Sequence, residues 1–228
     1  MSFFTSIGSA FSLRFKLDDR IPLSYKIGLA IEHLFSLARG FLTFGVRKRL
    51  FTPVFRGRGA SIRCGSLVSL GRGVRLGRFS LVDGLSSRGA SLGDGAKLGD
   101  FSRIVCSGSL GNLGVGVVIG HRVGIGEYSR LGGSGGVFIG DDTIIGQYFS
   151  AHPENHNFLD KSTLIRLQGT ERAEIVVGPN CWIGAKVTLL AGATIGHSSV
   201  VAAGSVVNSS FPPYSVIGGV PARLLKSY

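Results

Sequence analysis

A mainly-β solenoid is the fold class the sequence predicts, on three observations. Apolar residues recur every six positions across residues 62–211. Most of them are followed directly by Gly. The one long interruption of this rhythm also carries the chain's densest polar chemistry. Period six is neither the 3.6 of a helix nor the simple alternation of a lone strand. It suits a short strand and a tight corner, repeated, with the apolar residue inward. Gly serves the corner because the backbone there is crowded or φ is positive. Coils of this kind share one continuous core, and each is stable only against its neighbours.

The chain has 228 residues, 44% of them hydrophobic, enough for one sizeable core with an appendage. Residues 1–60 form that appendage. They hold ten Lys or Arg against three Asp or Glu, out of a net charge of +12. From Ile27 to Phe44 the polar residues Glu32, Ser36, Arg39 and Thr43 recur at helical steps. The spacing predicts a short amphipathic helix with a wide apolar face. The basic cluster Arg47-Lys48-Arg49 follows, then Arg56 and Arg58. Two readings compete for that face: it packs on the main domain or a neighbouring subunit, or it lies on an anionic membrane surface through residues 27–58. A transmembrane span is excluded by length and by Glu32, His33 and Arg39.

The repeat region runs over 61–211. Leu70, Leu76, Val82, Leu92, Leu98 and Ile104 open it, and Leu110 and Leu113 continue the register. Ile119 to Ala151 and Val177 to Val207 complete it. Three repeats to a coil give about seven coils and a prism roughly 33 Å long. The large break, 152–176, is an external loop that begins "HPENHNF"; a loop of this length in a solenoid is usually functional. Residues 212–228 are a C-terminal cap, expected to contain a helix.

Basicity predicts anionic partners, yet aromatics do not interleave with the basic residues in any nucleic-acid motif, so no nucleic-acid role is expected. Cys64, Cys106 and Cys181 are far apart and read as reduced, mostly buried thiols of a cytoplasmic protein. No secretory signal stands at the N-terminus.

Within the loop, His152 directly follows the inward position Ala151. Its imidazole titrates near working pH and can serve as a general base, or it can be a solvated histidine. Glu154 and Asn155 are candidates to orient it, with Asn155 also a candidate to bind an acceptor. His121 and His197 share a polar corner slot, two residues after Ile119 and Ile195, and read as structural.

Runs of the "IGxxVxIG" type resemble the hexapeptide-repeat family, whose fold is a left-handed parallel β-helix. "AHPENHNF", "VGPNCWIGAKVTLLAGATIGHSSVVAAGSVV" and "FPPYSVIGGVPARLLK" are similar to bacterial sugar O-acetyltransferases of that superfamily, especially those of exopolysaccharide and colanic-acid-type pathways. The resemblance implies a homotrimer with acetyl-CoA in the crevice between adjacent prisms and no metal. It places the catalytic base on His152. Direct attack of a sugar hydroxyl on the thioester follows, without an acyl-enzyme, since no Ser or Cys sits in a nucleophile motif. His156 and Asn157 would contact the acceptor. Trp182 would border the acetyl-CoA crevice, and Gly184, Ala202, Ala203 and Gly204 would let the pantetheine arm approach. Arg223 or Lys226 suits the nucleotide phosphates. The acceptor would be a sugar or lipid-linked saccharide in surface-polysaccharide biosynthesis, met in the cytoplasm or at the inner leaflet.

Three rivals remain at this stage. One is sugar N-acetyl transfer. Another is a zinc enzyme like the gamma-type carbonic anhydrases, with His121, His152 and His156 as the candidate trio. The third is a non-catalytic scaffold.

Overall fold

The computed structural model describes residues 18–44 and 52–228; the basic cluster Arg47-Lys48-Arg49 lies outside the described residues. The repeats wind a left-handed parallel β-helix with three faces. The first face has nine strands, from Val54–Arg56 to Ala222–Ser227. The second has seven, from Ser61–Arg63 to Val206–Val207. The third has seven, from Val68–Leu70 to Ser210–Phe211.

Register follows the six-residue period. On the first face Leu76, Leu98, Ile125, Ile145, Ile183, Val201 and Ile217 stack. The second stacks Ile62, Val82, Ile104, Leu131, Ala151, Leu189 and Val207. The third stacks Leu70, Leu92, Ile119, Ile139, Val177, Ile195 and Phe211. These three ladders are the core, and from Val82 onward nearly every rung is fully buried. Leu110 and Leu113 are the exceptions to the sequence rhythm. They are 84% and 48% exposed and belong to a loop between Val105 and Val117. The third-face rung that follows Ile104 is Ile119 instead.

Where Gly follows an inward residue on the first and third faces, crowding requires it. A Cβ on Gly99 would stand 2.5 Å from Gly126 of the next coil, and one on Gly126 would stand 2.5 Å from the Gln147 nitrogen. Positive φ falls two residues further on and is borne by side chains: Phe79, Phe101, Tyr128, Tyr148 and Lys186 at successive first-to-second-face corners. The four aromatics compensate by stacking. Their centroids are 5.4, 5.1 and 5.2 Å apart and their planes lie within 15°. Such pairs return about 1 kcal/mol each, against a left-handed cost of similar size. Buried hydroxyls close the same corners. Ser102 Oγ donates to the Gly126 carbonyl at 3.0 Å and accepts from the Ser129 N–H at 3.0 Å.

Both ends depart from expectation. The coil register begins at Val54, inside the segment that composition assigns to the appendage. The C-terminal cap holds no helix. Ser215–Gly219 pairs with Val200–Val201 and continues the first face, and Ala222–Ser227 turns back antiparallel onto it. The reason is the edge. The last strand would otherwise present an open row of N–H and C=O groups, and Gly218-Gly219 with Pro221 favours a turn over a helix.

The N-terminal helix, α1, spans Leu23–Phe44 and lies against Val54–Arg56. Gly40 is buried where a side chain would run into the Val54 carbonyl. The Arg39 Nε–H donates to the Arg56 carbonyl at 2.9 Å, and the His33 ring meets Phe55 edge-on. The polar stripe therefore faces the β-helix. The ridge Ile27, Ile31, Leu34, Phe35 and Leu42 faces outward, while Leu29, Ala30, Leu37 and Phe41 are part-buried, so only part of the apolar face packs on the chain's own main domain. Among the described residues no helix is long and apolar enough to cross a membrane.

Ile139→Ala, at a fully buried rung with neighbours on both sides, is expected to cost about 3 kcal/mol in denaturant unfolding. Gly40→Val is expected to release α1 and leave the coils intact, seen as fast amide exchange over 23–42 with an unchanged β-helix melting temperature.

Candidate active site

Every long excursion leaves the prism at one corner, between the second and third faces. Residues 84–89, 106–116, 133–136 and 153–174 emerge there on successive coils. They brace one another: the Ser87 N–H donates to the Gly114 carbonyl at 2.9 Å, and the Val115 N–H to that of Gly133 at 3.0 Å. The result is a wall along one edge of the second face.

His152 stands at its foot. It ends strand Ser150–His152, registered against Leu190 of the next coil, with buried Ala151 and Pro153 on either side. Rigid neighbours fix its backbone, while the ring is exposed on the second face. Among the described residues nothing hydrogen-bonds that ring. Desolvation by the surrounding wall, and next the Arg130 charge, hold its pKa below the ordinary imidazole value. Both disfavour the imidazolium.

Glu154–His156 pairs antiparallel with Thr170–Arg172, so the loop is a hairpin stem. Glu154, a candidate to orient the imidazole, is committed elsewhere. Its Oε2 accepts from Arg172 Nε at 2.5 Å, with both side chains largely buried. Arg172 also donates to the Leu113 carbonyl at 2.9 Å and to Asn112 Oδ1 and the Asn112 carbonyl, both at 3.1 Å. One guanidinium thus ties the stem to the loop two coils before it. Asn155 opposes Glu171 and points away from Glu154 by strand alternation. His156 is exposed on the same stem. The Asn157 amide donates to the Gln168 carbonyl at 3.1 Å, which assigns it to the loop's own fold.

The remaining candidates lie on later coils. Trp182, 57% exposed, is on the outward side of the first face between Ile144 and Val200. Gly184 and the run Ala202, Ala203 and Gly204 meet at the first-to-second-face corner. A Cβ on Gly184 would stand 2.5 Å from the Ala203 nitrogen, and Gly204 has φ 73°. Arg223 and Lys226 are exposed on the terminal strand. Within this chain, then, Trp182 and His152 look out from different faces. Arg172 and Arg130 were not singled out from sequence. Arg130 was findable, since it holds the slot before inward Leu131. Arg172 was not, because its partners lie 18 and 60 residues away.

His121 does not converge with His152. Its Nδ1 accepts the Asp94 N–H at 3.0 Å on an earlier coil. Among the described residues no three His, Cys, Asp or Glu side chains group as a metal site.

A cleft of about 240 Å³ lies apart from His152, between the polar stripe of α1 and the first face. Arg75, poised over Phe55 at 5.3 Å, lines it together with Glu32, His33, Lys97 and Asp100.

The family model for the bacterial transferase hexapeptide (six repeats) matches residues 174–209. A protein of Escherichia coli K12 named as a lipopolysaccharide biosynthesis O-acetyl transferase, WbbJ, is 33% identical over 124 residues, 51% of this chain and 63% of its own. The galactoside O-acetyltransferase of the same organism is 34% identical over 94 residues, 40% of this chain and 43% of its own. The chain thus spans less than two thirds of either relative. Among solved structures, the D94A mutant of AntD, an N-acyltransferase from Bacillus cereus in complex with dTDP and coenzyme A, superposes with a TM-score of 0.53. It has 18% identity and covers 80% of this chain and 87% of that one. That likeness is one of fold.

Arg172→Ala is expected to loosen residues 154–172 by about 2 kcal/mol, since it leaves a half-buried Glu154 unpaired. Amide exchange should accelerate there and not in the coils.

Proposed function

We propose that this hexapeptide-repeat chain is an acyl-CoA-dependent O-acetyltransferase. It moves an acetyl group from acetyl-CoA to a sugar hydroxyl in surface or exopolysaccharide biosynthesis, with His152 as general base. The observation that carries this reading is His152 itself: rigidly mounted, exposed at the foot of a braced loop, and biased toward the neutral form a base needs. The names of the O-acetyltransferase relatives support the class of reaction.

A sugar hydroxyl is a poor nucleophile at neutral pH. His152 takes its proton as the oxygen attacks the thioester carbonyl. The tetrahedral oxyanion is met by a backbone N–H at a coil corner. Collapse breaks the C–S bond, and the imidazolium returns the proton to the departing CoA sulfur, so no acyl-enzyme forms. Asn155 and His156, exposed on the stem, contact the acceptor, and Asn155 also has the option of orienting the base. Glu154 and Asn157 act indirectly by holding the stem.

Acetyl-CoA binds along later coils. Trp182 borders the crevice, Gly184 and Ala202 to Gly204 let the pantetheine approach, and Arg223 and Lys226 meet its phosphates. A homotrimer supplies the missing closeness. Threefold packing sets the first face of one prism beside the second face of the next, so Trp182 and His152 of adjacent protomers line one crevice. The outward apolar ridge of α1, followed in sequence by Arg47-Lys48-Arg49, rests on the anionic cytoplasmic leaflet, where a lipid-linked acceptor would be met.

His152→Ala is expected to retain acetyl-CoA binding and lose at least a hundredfold in CoA release with acceptor. If the variant turns over like wild type, His152 is not the base. In wild type the acid limb of kcat/KM reports His152. Its neutral form is the active one and its pKa is lowered. Activity should therefore persist below about pH 6.5, where an unperturbed histidine would be half protonated.

A further inference from the structure

We propose that Arg103 and Arg130 form an anion-reading subsite beside His152, so that the acceptor is a saccharide carrying a phosphate or diphosphate. This rests on the acyl-transfer reading of His152 and names the acceptor's chemical class.

The two arginines occupy equivalent outward slots on the second face, each just before an inward residue, Ile104 and Leu131. Their strands pair in register, so Arg103 stands directly opposite Arg130, about 4.8 Å away along the prism. Like charges facing each other across neighbouring strands are destabilising. At the corners the coils pair cations with acids: Arg72 with Asp94, Arg78 with Asp100 and Arg122 with Asp142. The other like-charge strand pair, Arg75 and Lys97 on the first face, lines the α1 cleft together with Glu32 and Asp100. Arg103 and Arg130 have no carboxylate in ion-pair range among the described residues. Two planar guanidinium groups with free donors match the oxygens of a phosphate or diphosphate.

Position selects the acceptor over CoA. Arg130 registers with Ser150, and Ser150 hydrogen-bonds Thr188 at 3.1 Å. His152 is two residues along from Ser150 on the same side of that strand. The outward column therefore runs from two cations to two hydroxyls, with the base beside it. Arg130 and Arg103 lie roughly 5 and 10 Å from the His152 strand along the axis. That leaves room for one sugar ring between a hydroxyl at the base and an anomeric phosphate at the arginines. The small residues suited to pantetheine, Gly184 and Ala202 to Gly204, lie on the other side of the His152 coil. Arg130 is already close enough to act on the imidazole.

The test uses the full chain, the double variant Arg103→Gln/Arg130→Gln and His152→Ala. Inorganic diphosphate is titrated calorimetrically into each. Wild type and His152→Ala should bind it, and the double variant should bind at least tenfold more weakly. Without ligand the double variant should melt no lower than wild type, because a like-charge contact has been removed. In turnover, a nucleoside-diphosphate sugar and a polyprenyl-diphosphate sugar in detergent distinguish the two sources of the diphosphate. Whichever is used should lose at least tenfold in kcat/KM in the double variant, with the KM for acetyl-CoA unchanged. Equal diphosphate binding by wild type and double variant overturns the proposal. So does a rise in the KM for acetyl-CoA alone, or wild-type preference for a neutral glycoside. If diphosphate binding needs both arginines but no acetyl transfer occurs with any acceptor, the acyl-transfer reading fails and the anion site stands.

Discussion

Stacking of identical coils at the spacing of a β-ladder is the constraint on which everything else depends. Neighbouring backbones approach so closely at the corners that Gly99, Gly126 and Gly146 have no room for a Cβ. That approach keeps the Leu, Ile and Val ladders in contact from one coil to the next. No coil has a core of its own, so the order of each is borrowed from its neighbours. Each end is covered: α1 lies over the first strand, and the terminal hairpin covers the last. Corners pay for their left-handed residues locally, with stacked Phe and Tyr rings and with serine hydroxyls that satisfy buried backbone groups.

A scaffold this regular departs from its repeat most where it is interrupted. The interruptions collect at one corner, and each leaves the inward ladders in register. Four successive loops stack on each other, and the longest is held to the one two coils before it by Arg172. His152 gains from both neighbours. The ladder fixes its backbone, and the loop wall desolvates its ring without covering it. A short strand end thus offers a neutral imidazole in a defined direction, the property general-base chemistry requires.

The helix α1 reverses the usual arrangement. Its polar stripe meets the prism through Gly40, Arg39 and His33, and its apolar ridge points outward. The first two coils present Phe55, Arg75 and the Val54 carbonyl, and a polar stripe with a glycine at closest approach fits that surface. The ridge is left for something outside this chain's own core, and its chemistry is that of a membrane interface or an apolar partner surface.

Taken alone, the amino-acid sequence determined the coil number, the identity of nearly every inward residue, the helix and the site of the major loop. All of these follow from periodicity, and periodicity is local. It misplaced Leu110 and Leu113, because an apolar residue before Gly looks the same in a loop as in a coil. It also made a helix of the C-terminal segment, because the unpaired edge that captures Ala222–Ser227 exists only once the prism is assembled. His152 was legible as a break in the rhythm. Only tertiary structure decided that Glu154 belongs to Arg172, that Arg103 and Arg130 face each other, and that the apolar ridge of α1 looks outward. Each of those depends on which groups meet across coils or across tens of residues, and a one-dimensional pattern does not record distance in space.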